Sequence, residues 1–176
     1  MRIDVRELEN GPLRVEGEFL PDQLGLRPSE GRVVENPLVN LVAEKHGMQV
    51  RLRGNLKVSL ELGCARCLDS VRMQLSPEFD LFYQSNSGSS LSGEIALTEM
   101  DTEVGFFNDY FIDVTDIVRE QILLSLPMKP MCREDCKGLC PHCGGNRNFK
   151  DCDCQESEAD PRLAPLIKIK SQMSQK

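Results

Sequence analysis

Cysteine is the residue type whose spacing in this chain could do chemistry. Six of the eight cysteines read Cys132-x3-Cys136-x3-Cys140-x2-Cys143-x8-Cys152-x-Cys154, and the other two form Cys64-x-x-Cys67 far upstream. Thiolates two residues apart on a tight turn can reach one tetrahedral zinc ion, and two such pairs close a structural site. Eight thiols divide evenly into two such sites. The expected cofactor is therefore zinc, two ions, with Cys64, Cys67, Cys132, Cys136, Cys140, Cys143, Cys152 and Cys154 all acting as ligands.

An even cysteine count also suits a disulfide scaffold in a secreted protein. Against that, Met1 to Asn10 is charged throughout and lacks an apolar signal core, and no apolar run approaches the ~20 residues that cross a bilayer. The expected compartment is the cytoplasm or an organelle stroma, where thiols stay reduced and metal is preferred over disulfides.

Within the cluster, Cys140-Pro-His-Cys143-Gly144-Gly145 has the form of a zinc knuckle, in which glycine after the second ligand lets backbone amides turn back towards sulfur. Cys152 and Cys154 return to it across an eight-residue loop, which leaves Cys132 and Cys136 to meet Cys64 and Cys67. That division uses every thiol and fixes the tail to the scaffold. Spacing also permits a first site built from Cys132, Cys136, Cys140 and Cys143. His142 sits between two ligands and is expected to point outward.

Catalytic readings of the same thiols fare worse. Cys136-x3-Cys140-x2-Cys143 matches the iron–sulfur motif of radical enzymes that use S-adenosylmethionine, but only 33 residues follow Cys143, too few for their catalytic barrel. Cys64-x-x-Cys67 could be a redox pair, yet that chemistry wants a following helix to lower a thiol pKa, and the segment after Cys67 alternates like a strand. There are two histidines, no phosphate loop, no nucleophile elbow and no dinucleotide fingerprint, so no enzyme is expected.

The elements that must position these thiols follow from hydrophobic period. Leu13, Val15 and Phe19 alternate with charged residues, and Leu38 to Val42 is a short apolar run. From Met48 to Leu62 the even positions Val50, Leu52, Leu56, Val58, Leu60 and Leu62 are apolar, while Arg51, Arg53, Asn55, Lys57, Ser59 and Glu61 face the other way, which excludes a helix. Val71, Met73 and Leu75 resume the alternation, continuing through Phe79, Leu81 and Tyr83, so Cys64 to Cys67 should form the tip of an antiparallel hairpin, with both thiols pointing out of the sheet end. Residues 84 to 103 read as a polar loop. Asp113 or Thr115 can cap a helix near 114 to 126 whose inner face is Val114, Ile117, Val118, Gln121, Ile122 and Ser125, stopped by Pro127 and Pro130. Asp160-Pro161 opens a short terminal helix. The expected fold is α+β: an antiparallel β domain with a long helix over residues 1 to 126, then a cysteine-rich zinc-binding segment over 127 to 176.

Charge limits the partners. The formal charge of −7 opposes indiscriminate binding to nucleic acid, but residues 1 to 126 hold 12 basic and 21 acidic side chains while residues 127 to 176 hold 9 and 7. Any anion-binding surface must be local. Aromatic residues are 5% of the chain, too sparse for a base-stacking platform. Arg66 is either a phosphate contact at the hairpin tip or an exposed turn arginine, and Arg51, Arg53, Lys57 and Arg72 should share one strand face, mixed with Glu61 and Glu78.

An ordered set of motifs resembles a known family. Cys64-x-Arg66-Cys67, then Val118 to Pro127 (VREQILLSLP), Cys132-x3-Cys136-Lys-Gly-Leu-Cys140-Pro-x-Cys143-Gly, Asn146-x-Asn148, Cys152-x-Cys154 and Asp160-Pro-Arg162-Leu are similar to the YceD family, over roughly residues 35 to 170. The resemblance implies a non-enzymatic factor needed for the synthesis, processing or stability of large-subunit (23S) ribosomal RNA, a role in ribosome biogenesis without a stated mechanism. Its partners would be that RNA or a pre-ribosomal particle, with no membrane and no small-molecule substrate. A metal-clamped tail on a β scaffold is then an RNA-recognition module, in which Arg66, Lys137, Arg147 and Lys150 meet phosphate oxygens. The plainer account is that zinc replaces a core that a loop-rich tail cannot build. A zinc-dependent adaptor that binds protein through the acidic loop and tail is the second functional reading, and a thiol oxidoreductase the third.

Overall fold

A computed structural model of the chain describes residues 1–86 and 104–154. The chain divides into two compact units, Met1–Cys136 and Lys137–Lys176. The division falls after Cys136, ten residues beyond the boundary drawn from the prolines, because Cys132 and Cys136 pack with the β domain.

In the first unit the strands are β1 (Arg2–Asp4), β2 (Leu13–Glu18), β3 (Arg32–Val33), β4 (Leu38–His46), β5 (Gln49–Gly63), β6 (Ser70–Leu75), β7 (Glu78–Ser85), β8 (Val104–Phe107) and β9 (Phe111–Asp113), followed by helix α1 (Val114–Ser125). Three short 3-10 turns, Val5–Asn10, Pro21–Leu24 and Pro28–Glu30, link the early strands. β5 is the axis. At ~3.3 Å per residue its 15 residues run about 50 Å. Its first half lies between β4 and β7, and its second half between β3 and β6. The main sheet has the order β2-β4-β5-β7-β8, and β1 pairs β9 in a separate ribbon.

The period-2 pattern holds along β5. Val50, Leu52, Leu56, Val58, Leu60 and Leu62 are buried, as read from the sequence. Fully burying a side chain of this size contributes about 1.5–3 kcal/mol. One outward position departs from the pattern: Ser59 is buried, because the chain around Val34 and Glu35 folds over it. Val34 N–H donates to Ser59 O at 2.9 Å and Ser59 Oγ donates to Glu35 at 2.7 Å. Gly54 is demanded by the ladder itself, since a Cβ there would run into the Asn40 carbonyl and Leu41 of β4.

β6 and β7 follow a single register line along β5, broken only at Ser76-Pro77. Proline cannot donate, but its carbonyl still accepts from Leu56 N–H at 3.0 Å, so the line is kept across the break. Ser85 still belongs to β7, so the strand outlasts the polar composition that begins at Gln84; residues 87–103 lie outside the described residues.

Two expectations are corrected. The sheet is mixed, because β8 pairs β7 in parallel. The helix is not long: α1 has 12 residues, about three turns. Its inner face stands as read except for Ser125, which is half-buried and donates its hydroxyl to the Gln121 carbonyl. Asp113 is the cap, accepting from Thr115 N–H at 2.9 Å, and Val114, Ile117, Val118, Gln121 and Ile122 are buried against the sheet core. The expected terminal helix at Asp160 lies outside the described residues.

β8 and β9 had no counterpart in the sequence reading. They belong to different sheets and are joined by a tight turn, closed by an isolated antiparallel bridge between Asn108 and Phe111, in which Asp109 and Tyr110 both take positive φ, 53° and 62°.

Candidate metal centres

The hairpin of β5 and β6 ends in a turn that the cysteines build. Cys64 N–H donates to Asp69 O at 2.8 Å, continuing the ladder, and Leu68 N–H donates back to Cys64 O at 3.0 Å with Leu68 at φ 63°. Contrary to the expectation that both thiols project from the sheet end, Cys64 and Cys67 are buried, 0% and 3% exposed. What covers them is the segment after α1. Ala65 N–H donates to Pro130 O at 2.7 Å, Cys132 N–H points at Cys64 Sγ at 3.4 Å, and Arg66 Nη1 donates to Cys136 O at 2.8 Å.

These contacts gather Cys64, Cys67, Cys132 and Cys136, with all four sulfurs within 4.8 Å of one another. Cys64 and Cys136 sulfurs are 3.9 Å apart, and those of Cys67 and Cys132 3.7 Å. An ion about 2.3 Å from each sulfur in a tetrahedron holds the sulfurs about 3.8 Å apart, so the cluster has the right size for one.

The second unit makes its own cluster from Cys140, Cys143, Cys152 and Cys154, again within 4.8 Å. Its turn is the knuckle read from the sequence. Gly144, at φ 70°, donates to Cys140 O at 2.9 Å, and Cys140 N–H donates to Gly145 O at 2.8 Å. Around it, Arg147 N–H donates to Gly138 O, Lys137 N–H to Asn148 Oδ1 and Asn148 N–H to Asn146 Oδ1. The pattern Asn146-x-Asn148 thus serves as side-chain staples for a loop without a core. The sulfurs therefore fall into the division that leaves Cys132 and Cys136 with the hairpin, not the one that groups Cys132 to Cys143.

All eight cysteines are free thiols in the structure. Their acidities are split within each cluster. Backbone N–H groups of Cys67, Arg66 and Cys132 bring Cys64 down to about 6, while burial above all pushes Cys67 up to about 12. Desolvation first, then Cys136, raises Cys132. In the second cluster, the N–H groups of Cys143 and His142 bring Cys140 down to about 6, whereas hydrogen bonding to Cys143 and then Cys152 pushes Cys154 up to about 12. Cys152 is raised, chiefly by Cys140. One thiolate per cluster is easily formed, while Cys67 and Cys132 in the first cluster and Cys152 and Cys154 in the second are pushed towards the protonated form. A divalent cation is what allows all four to ionise together, so the donor sets fit a metal. The 3.3 Å hydrogen bond from Cys67 Sγ to Asp69 belongs to the protonated form.

The four cationic candidates are distributed between the units. Arg66 is exposed but spends one N–H on the Cys136 carbonyl, a role its sequence position did not signal. Lys137, Arg147 and Lys150 are exposed in the second unit, with Lys137 Nζ 3.3 Å from Asp151. The outward cations of the sheet are partly neutralised: Arg51 holds Asp80 through two hydrogen bonds and lies over the Phe82 ring, and Arg72 is bound to Glu35. His142 is exposed and is not among the clustered residues. No described helix is long and apolar enough to cross a membrane.

Residues 52–170 match the family described as large ribosomal RNA subunit accumulation protein YceD, and the chain belongs to that family. Similar curated proteins include the chloroplastic Large ribosomal RNA subunit accumulation protein YCED homolog 1 of Arabidopsis thaliana, 26% identical across 73% of this chain and 46% of its own length. The maize protein of the same name is 23% identical across 94% of this chain and 64% of its own. An uncharacterized protein of Mycobacterium tuberculosis is 33% identical across 60% of this chain and 48% of its own. The chain thus spans between about half and two thirds of the length of these relatives. No solved structure matches it.

Proposed function

We propose that this member of the YceD family is a non-enzymatic ribosome biogenesis factor that supports the synthesis, processing or stability of large-subunit (23S) ribosomal RNA. The observation that carries the reading is the family match over residues 52–170 combined with two all-cysteine clusters. Four thiolates around an ion leave no open position for water or substrate, which is the chemistry of a structural site. All-sulfur tetrahedral sites take zinc or iron, and zinc is the ion that brings no redox chemistry of its own. Each cluster holds one zinc ion. The protein works where large-subunit RNA is made, in cytoplasm or organelle stroma; two of the relatives are named as chloroplastic.

RNA contact is assigned to Arg66, Lys137, Arg147 and Lys150, together with backbone amides of the knuckle. Arg66 has five guanidinium donors, of which Cys136 O takes one, so a phosphate oxygen can be met without breaking the clamp. Zinc there does no chemistry on the RNA; it fixes the loop that presents the cations. A second reading, the protein adaptor that never touches RNA, draws support from the ion pairs that occupy Arg51, Arg72 and Lys137.

The test titrates a large-subunit RNA fragment with wild-type protein and with Arg66, Arg147 and Lys150 all changed to alanine, both fully metallated. Each lost phosphate contact should lower the log–log salt slope by about 0.7–0.9 and weaken binding. Equal affinity and equal slope would remove RNA contact from these residues and favour the adaptor.

A further inference from the structure

The first unit carries a cleft of mixed polar and apolar lining that the metal clusters and the RNA reading do not use. It is about 430 Å³ and lies where β7, β8 and β9 meet α1. Tyr83, Phe107, Phe111 and Ile117 contribute apolar surface, and Phe106 at its mouth is 61% exposed. Phe111 beside it is 41% exposed but carries the Arg6 guanidinium over its ring at 5.8 Å, so Phe106 is the apolar surface left for a partner to cover.

The rim decides what that something is. Asp109, Asp116 and Glu120 line the cleft, and among the described residues none of them has an ion-pair partner; Arg2, the cation at the edge, is held by Asp113 at 3.1 Å. Asp116 and Glu120 are one turn apart on α1, where like charges oppose the helix that carries them. Their field reaches the cleft wall: burial first, then Glu120 and Asp116, raise the Tyr83 hydroxyl above its ordinary range. Phosphate would be repelled here, so an RNA backbone does not fit. An apolar floor under an unpaired acidic rim is complementary to a cation flanking an apolar side chain.

We propose that this cleft docks a basic peptide segment of a protein partner, with an aliphatic residue seated between Phe106 and Ile117 and arginine or lysine facing Asp109, Asp116 and Glu120. The proposal does not depend on the RNA reading, because it uses other residues and the opposite charge.

Tyrosine emission offers a direct test, since the chain has no tryptophan and two tyrosines. In Tyr110→Phe protein, Tyr83 reports alone, and the probe is a capped Arg-Arg-Leu-Leu-Arg-Arg peptide. A saturable change is expected that weakens with salt, with affinity at least tenfold lower in Asp116→Asn/Glu120→Gln. Asp109→Asn, off the helix and at a φ that asparagine tolerates, should weaken binding several-fold without touching the helix. A Glu-Glu-Leu-Leu-Glu-Glu peptide should not bind, and Glu16→Gln/Glu18→Gln on β2 should leave affinity unchanged. No saturable change, equal affinity in the rim variants, binding of the acidic peptide, or an equal loss in the β2 variant would each overturn the proposal. So would displacement of the peptide by a short polyuridylate.

Discussion

The two cysteine clusters have the same donors and opposite foundations. The first collects sulfurs 65 and 72 positions apart in the chain, and three of its four cysteines are buried. The second collects its four within 15 residues, and among residues 137–154 only Gly138 and Cys140 are buried, with none in the hydrophobic core. Loop closure alone makes the first the harder one to assemble, by about 2 kcal/mol for a roughly sevenfold longer loop. The β5–β6 hairpin, α1 and the Pro130 contact meet that cost before any metal arrives. The second has no such support, so there metal binding and folding would be one event. An ion in the first would consolidate a scaffold that stands without it; an ion in the second would make the unit that holds it.

That contrast can be broken by removing metal. Chelation of the purified protein, expected to contain two zinc ions per chain by elemental analysis, should abolish hydrogen-exchange protection across residues 137–154 while β4, β5 and β7 stay protected. Protection of 137–154 that survives full chelation would show that the second unit folds without metal. Single ligands should separate the clusters next. Cys140→Ser should reproduce that collapse with one ion retained, whereas Cys64→Ser should also leave one ion but loosen only the hairpin tip and residues 128–136. Loss of both ions from either variant would show the clusters to be coupled.

Acid sharpens the comparison further. In the metal-bound protein every ligand thiol is ionised, so its folded pKa lies below the unfolded value of about 8.5, and the stability it contributes is present above that pH and lost as pH falls. Backbone donors already hold Cys64 and Cys140 at about 6 without metal. Release during acid titration should therefore begin below about pH 6, with the exposed second cluster emptying first; simultaneous release would erase the distinction. The smallest effect belongs to Arg66→Ala, which removes the hydrogen bond to the Cys136 carbonyl and should destabilise the first cluster by on the order of 1 kcal/mol, read as faster zinc transfer to a colorimetric chelator. Arg66→Ala should leave exchange in 137–154 unchanged.

How much of this was legible beforehand follows from how local each cause is. The alternation along β5, the helix cap and the inner face of α1 are written in residues next to one another, and apart from buried Ser59 and half-buried Ser125 they are found where the sequence puts them, with Asp113 the cap of the two candidates. The knuckle is equally local. The parallel pairing of β7 with β8 is not: four residues of Val104–Phe107 carry too little pattern to announce a strand, and their partner lies across residues 87–103. Burial of Cys64 and Cys67 depended on a segment 65 positions away arriving to cover them, and Arg66 was ambiguous because a guanidinium suits a phosphate and a carbonyl alike. The length of α1 was overstated although its boundaries were nearly right, since 12 residues bounded by Asp113 and Pro127 are three turns.

The pairing of β1 with β9 sets a clock on synthesis. Ile3 lies opposite Ile112, and Val114 N–H donates to the carbonyl of Met1. The first strand therefore has no partner until more than 100 further residues have been made, roughly 5–20 s at translation rates of about 5–20 residues per second. Through that interval β2, β4, β5 and β7 can assemble, and β4 can receive the turn of Val5–Asn10, while Ile3 waits uncovered for β9 and α1 to close over it. Completion of the first unit is thus timed by the emergence of residues 111–122, only slightly before the cysteines that follow.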